Sequence, residues 1–392
     1  MNYQLSRRCF IQVLGATALS QILIGCSNAE ATLQVLFLAY SIPQQLITDF
    51  RRTTNETRKV KFRPQTQIGQ IFDFLYNLKQ SKKSANKNQN ITSKFFSKSV
   101  VYPRLTTLGD AWLSSAIKQN LIQPLSVDNL ANWQKLPASW HKLSRRNNLG
   151  NLSDDGQIYG APYRWGSTVI AYRSDKLSSP PTDWADLWQP ELRDRLSLLD
   201  SPREVIGLTL KKLGLSYNTN DLDSVTNLEA ELLALHRQAK LYSYDHYLEP
   251  LIIGDTWAAV AWSTDIIPLL QRYPEIKFVI PQSGTSLWAD LWVKPQISQA
   301  STVEPEADSE IIEAWIDYCW QPQAAKQISL FTDGISPILS TLEPSEIPLD
   351  LQENVFLNSA VLQSDKSEFL YPLNSQTEQQ YRDLWLKIRQ SE

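Results

Sequence analysis

At 392 residues the chain is long for one compact core, and chains of this size usually divide into lobes. Its 38 basic and 41 acidic residues leave a small negative charge with no basic footprint, which argues against nucleic acid as a partner. Three cysteines, Cys9, Cys26 and Cys319, offer no metal-type pair. Tryptophan is in excess, 13 residues, and that side chain serves either a core or the enclosure of a cation.

The first residues read as an export signal. Arg7 and Arg8 precede an uncharged stretch from Phe10 to Ile24. That stretch is about fifteen residues, shorter than the roughly 20 needed to span a bilayer as a helix. A charged start, a short apolar middle and small residues at the end describe a signal peptide, and the paired arginines point to the twin-arginine route. The segment ends in Leu23-Ile24-Gly25-Cys26, which resembles the lipobox of bacterial lipoproteins. The resemblance implies that Cys26 becomes the lipidated N-terminus, with enough acyl chains for stable membrane anchoring. Without residues 1–25 the chain has 367 residues, 36 basic against 41 acidic. Cys319 is then the last thiol, in the apolar pattern of Ile312, Trp315 and Ile316, and is assigned to the core.

Beyond the anchor, strands and helices alternate. Leu33 to Leu38 is a strand, Pro43 opens a helix with Leu46, Ile47 and Phe50 on one face, and Val60 to Arg63 is a second strand. Ile68, Ile71, Phe72, Leu75 and Leu78 predict an amphipathic helix. Residues 80–99 lose all periodicity and read as a polar, solvated insertion. Order returns at 99–109, where Asp110 is a candidate N-cap for the helix carrying Trp112, Leu113 and Ile117. Strands follow at Ser167–Arg173, Leu196–Leu199, Trp257–Trp262 and Ile276–Ile280. Helices are predicted at Pro202–Leu213, Val225–Ala239, 308–320, 322–332 and 376–389. The β-α-β-α order calls for an α/β protein with parallel sheets covered by helices.

Enzyme signatures are missing: the sequence has no HExxH, no Gly-x-Ser-x-Gly and no phosphate-binding glycine loop. His141, His236 and His246 have no metal spacing, and no cofactor is implied.

From Tyr159 onward the chain resembles the spermidine/putrescine-binding proteins of polyamine ABC importers. The residues that carry this are Tyr159-Gly160-Ala161-Pro162-Tyr163-Arg164-Trp165-Gly166, Asp183-Trp184-Ala185-Asp186-Leu187-Trp188, Leu198-Leu199-Asp200-Ser201-Pro202-Arg203-Glu204, Lys211-Lys212-Leu213-Gly214 and Leu287-Trp288-Ala289-Asp290. The resemblance implies a two-lobed periplasmic binding protein fold of type II, with a ligand cleft between lobes joined by crossing strands. Carried onto this chain, residues 26–165 form lobe 1 with the insertion at 80–99, and 166–287 form lobe 2. Residues 288–341 return to lobe 1, and 342–392 lie on lobe 2. It also implies the partners: a small solute such as putrescine or spermidine, the permease subunits of an importer, and the membrane through the lipid anchor, on the periplasmic side. The rival class is a two-lobed lipoprotein acting as an interaction module or serving a different solute; an exported enzyme is the weakest reading.

A polyamine needs carboxylates for its ammonium groups and aromatic faces for its methylenes. In a strand Asp290 shares its face with Trp288 and Trp292, an arrangement suited to a cation. A structural salt bridge is the alternative for Asp290. Trp262 falls at the family's pocket tryptophan, with a plain core role as its alternative. Glu204 falls at a family carboxylate, but the run Ser201-Pro202-Arg203-Glu204 also fits a capping box. Tyr40 and Ser41 stand where the family has an aromatic and a hydroxyl, although one residue is deleted before Pro43. Ser201, Gly109, Ala111 and Ile335 depart from the family's pocket residues, so the ligand itself stays open.

Overall fold

The computed structural model describes residues 33–53, 60–87, 103–296, 306–352, 354–358 and 366–391. Arg7, Arg8, the apolar stretch and Cys26 lie outside the described residues, as does much of the 80–99 segment. Among the described residues, the longer strands are β1 Gln34–Leu38, β2 Lys61–Gln65, β3 Pro103–Gly109, β4 Ala161–Arg173, β5 Leu196–Leu199, β6 Ala239–Ser243, β7 Ala258–Trp262, β8 Ile276–Val279 and β9 Ser286–Pro295. They join in the order β2-β1-β3-β9-β4-β7-β5-β6, with β8 beside β4.

The path contains two parallel halves and an antiparallel junction. β1 pairs in parallel with β2 and β3, and β5 pairs in parallel with β7 and β6. Between the halves, β9 runs antiparallel to both β3 and β4. β4 itself changes partners along its length. Its first half, from Ala161 to Ser167, pairs with β9, whereas Thr168 to Arg173 pair with β7 and β8. Twelve of its thirteen residues are buried, as in a strand covered on both faces. Pro162 is tolerated because the register shifts there: Asp290 opposes Arg164 and Leu291 opposes Pro162, leaving Tyr163 as the bulged residue.

Several predicted bounds move. β4 begins six residues before Ser167, because Ala161, Pro162, Arg164 and Trp165 are drawn into pairing with β9. Part of the insertion is helical: the helix Ile68–Lys87 continues through residues 80–87. The predicted Val225–Ala239 helix is only Leu228–His236, since Asn227 takes a left-handed φ of 64° and Ala239 opens β6. Gly109, not Asp110, caps the helix Asp110–Lys118. The C-terminal helices at Glu306–Cys319, Pro322–Phe331 and Ser375–Arg389 match expectation within two residues, and Cys319 is fully buried. No described helix is long and apolar enough to cross a membrane.

Candidate functional site

The C-terminal ends of the parallel strands converge on one cleft. Leu38 ends β1, Thr66 and Gln67 follow β2, and Asp110 follows β3; all line it. From the other half come Ser201 after β5, Tyr244 and Asp245 after β6, and Trp262 at the end of β7. Ligands of open α/β sheets bind outside the carboxyl ends of strands, because there the backbone and loop side chains are free to face solvent. The cleft holds about 1040 Å³, and Trp288 and Asp290 on β9 lie along it. Contacts bridge its mouth: the Gln67 amide donates to Asp245 at 3.1 Å, and Lys118 stands 3.9 Å from Glu378.

Asp290 takes the alternative left open for it. Its Oδ2 accepts from Arg164 Nε at 2.7 Å, and the two residues are 5% and 6% exposed. Arg164 also donates to the Thr332 carbonyl at 3.2 Å, and its guanidinium lies 5.9 Å from the Trp288 ring centroid. Trp288 rests on Gly166, where an added Cβ would come within 2.3 Å of the indole. Trp292, expected beside Asp290, does not line the cleft. It is fully buried, stacked on Tyr163 at 4.8 Å and edge-on to Trp315 at 5.7 Å. Two residues past Asp290, helix Glu306–Cys319 has already covered that face.

Glu204 is buried and lines the cleft, but it caps nothing. Ser201 makes no side-chain cap bond, and the Glu204 carboxylate accepts from Ser286 at the start of β9 instead. Burial raises its pKa, against the hydroxyls of Ser286 and Thr168. Trp262 is half-buried in the cleft wall, edge-on to Tyr244 at 4.8 Å and to Tyr247 at 5.9 Å. Tyr40 and Ser41 stand outside. Tyr40 is 89% exposed in a turn with φ 63°, and Ser41 is fully buried, accepting from the Tyr163 hydroxyl at 2.8 Å. Of the departing positions, Gly109, Ala111 and Ser201 line the cleft, whereas Ile335 is buried against the Trp165 backbone.

The sequence reading missed Asp110, Tyr244, Asp245 and Asp265, all cleft-lining. The signal was available, since each sits one to three residues past the end of a strand. Asp110 is buried, accepts from the Ala289 amide at 3.0 Å and has its pKa pushed up to about 7 by burial. Asp265 accepts from the Tyr247 hydroxyl, and the surrounding protein raises its pKa although its side chain opens to the cleft. Asp245 is likewise exposed. Neither Asp245 nor Asp265 is paired with a base among the described residues.

Geometry and sequence agree on the class. Residues 102–354, more than half of the chain, match the model of the bacterial extracellular solute-binding proteins, and the chain belongs to that family. Among its curated relatives, the spermidine/putrescine-binding periplasmic protein of Salmonella typhimurium is 26% identical over 250 residues, 61% of this chain and 67% of the relative. The putrescine/cadaverine-binding protein of Pseudomonas aeruginosa is 24% identical over 249 residues, 60% and 68% of the two chains. The fold is that of two-lobed periplasmic binding proteins: the spermidine/putrescine ABC transporter substrate-binding protein of Streptococcus pneumoniae superposes with a TM-score of 0.73 at 19% identity, covering 92% of this chain and 99% of that one.

Proposed function

We propose that this chain is the extracytoplasmic receptor of an ABC importer for a small organic cation of the polyamine class. The observation that carries the reading is the cleft itself. Six acidic and four basic side chains line it, together with Trp262, Trp288 and Tyr244. A net surplus of two carboxylates between aromatic walls suits a flexible dication. An interaction module would need no convergent acids in a cleft. The proposed lobes, 26–165 with 288–341 and 166–287 with 342–392, are supported by the change of partners within β4. They are also supported by the helix Ser375–Arg389, which packs on Pro202–Lys212. Calorimetry tests the ligand: putrescine should bind with micromolar affinity or better, and 1,4-butanediol, the same chain without charge, should not. Binding of neither, or of both equally, would remove the cation from the assignment.

The anchor belongs to the same proposal. Cys26 carries the lipid and Arg7-Arg8 direct export by the twin-arginine route, placing the receptor at the periplasmic face of the membrane. Cys26→Ser should release the protein from washed membranes into the soluble fraction. Retention after a carbonate wash would overturn lipidation at this cysteine.

A further inference from the structure

The acid–tryptophan pair on β9 already holds a cation, and it is the protein's own. Arg164 stands opposite Asp290 in the ladder, with Nε 2.7 Å from the carboxylate and its guanidinium 5.9 Å from the Trp288 ring. A ligand ammonium seated there would make the same two contacts, a charge on Asp290 and a cation over Trp288. Arg164 is not a mobile surface group: the Thr332 carbonyl accepts from its Nη1, and both members of the pair are buried. A second cation brought to Asp290 would meet Arg164 as a like charge at low dielectric. Displacing Arg164 would instead strand a guanidinium in the interior.

Resting on the receptor reading, we infer that Arg164 closes one ammonium subsite and restricts the ligand to a diamine, whose two charges fall on Asp245 and Asp265. These are the two cleft carboxylates that open to solvent and form no ion pair among the described residues. Asp245 accepts from the Gln67 amide, and Asp265 accepts from the hydroxyls of Tyr247 and Thr264; Arg164 acts on Asp265 through space without forming an ion pair with it. Tyr244 lies in the field of both, and also of Glu204 and Asp290, with Trp262 edge-on beside it. The methylenes of a diamine would run along these two rings. Two open carboxylates match two ammonium groups. A triamine brings a third ammonium, and Asp290, the acid beside Trp288, is already neutralised by Arg164.

The test is calorimetry of the full mature chain with putrescine and spermidine, on the wild type and on Arg164→Met, which keeps the unbranched length without the charge. The wild type should prefer putrescine by about tenfold or more, and Arg164→Met should shift the spermidine-to-putrescine affinity ratio toward spermidine by at least about tenfold, the scale of one cation contact. A wild type that prefers spermidine, or a ratio that Arg164→Met leaves unchanged, overturns the inference while leaving the receptor reading intact. Should Arg164→Met fail to fold, Asp265→Asn supplies the second arm, because its side chain already faces the cleft and the amide can still accept from Tyr247. It should weaken putrescine binding by about tenfold or more. Undiminished binding overturns the assignment of the ammonium to Asp265. If neither amine binds the wild type, the polyamine reading falls and this inference with it.

Discussion

Replacing Asp290 with leucine should lower the unfolding free energy by about 3–5 kcal/mol, the cost of breaking a buried ion pair from one side. The pair qualifies: Arg164 and Asp290 have side chains 8% and 7% exposed, at 2.7 Å, on neighbouring strands at the junction of the two halves. Without the carboxylate, Arg164 keeps the Thr332 carbonyl as a hydrogen-bond partner and the Trp288 face, and loses its ion pair. Removing both charges has a different outcome. The double variant Arg164→Met/Asp290→Leu should lie within about 1–2 kcal/mol of the wild type, because apolar replacements of similar volume make up for a desolvated pair. Urea unfolding of the wild type, both single variants and the double variant closes the cycle and gives the coupling between the two residues. A loss below about 1 kcal/mol in Asp290→Leu would mean that the pair is not needed by the fold, and would return Asp290 to the ligand.

Asp110→Asn should stabilise the ligand-free protein at pH 8 and leave it unchanged at acid pH. Burial lifts the Asp110 carboxyl from 3.8 to about 7; the Ala289 amide and the Arg146 guanidinium oppose the rise, and the Asp290 charge adds to it. Arg146 is itself buried, and its Nε and Nη1 have no hydrogen-bond partner among the described residues. A carboxyl that holds its proton more tightly folded than unfolded favours the fold fully below the unfolded pKa. That contribution is lost progressively as pH rises through the folded value. Between 3.8 and about 7 the loss reaches on the order of 4 kcal/mol, at about 1.4 kcal/mol per pH unit. Asparagine keeps an oxygen to accept from Ala289 and has no charge to bury. The variant's stability should therefore exceed the wild type's by about 2–4 kcal/mol at pH 8, and the difference should vanish near pH 4. A difference that does not grow with pH would mean that Asp110 ionises without cost where it stands.

How much of this was written in the sequence varies with the range of the interaction. The strand–helix alternation, the amphipathic helix from Ile68 and the C-terminal helices are local periodicities, and their placement follows from residues a few positions apart. The ordered motifs from Tyr159 to Asp290 led to the family and so to the cleft. Where the reading erred, a distant partner intervened. β4 begins at Ala161 because β9 pairs with it, and the capping box at Ser201 is absent because Ser286 takes the Glu204 carboxylate. Ser41 is turned into the interior, where it accepts from the hydroxyl of Tyr163, 122 residues later.

Alternation along β9 put Asp290 and Trp288 on one face from sequence alone, since successive side chains of a strand point to opposite sides. It could not say what would meet them there. Arg164 lies 126 residues earlier in the chain, and only the antiparallel register of β4 against β9 brings its guanidinium to Asp290. Asp245, in a loop, and Asp265, in the short helix Ser263–Ile266, are positioned by where β6 and β7 end in the sheet. The sequence by itself therefore determined the class of protein and the strand ends from which a site is built. Which carboxylates are neutralised and which stay open to a ligand was decided by the tertiary structure, because charge pairing depends on distances in space that no local pattern encodes.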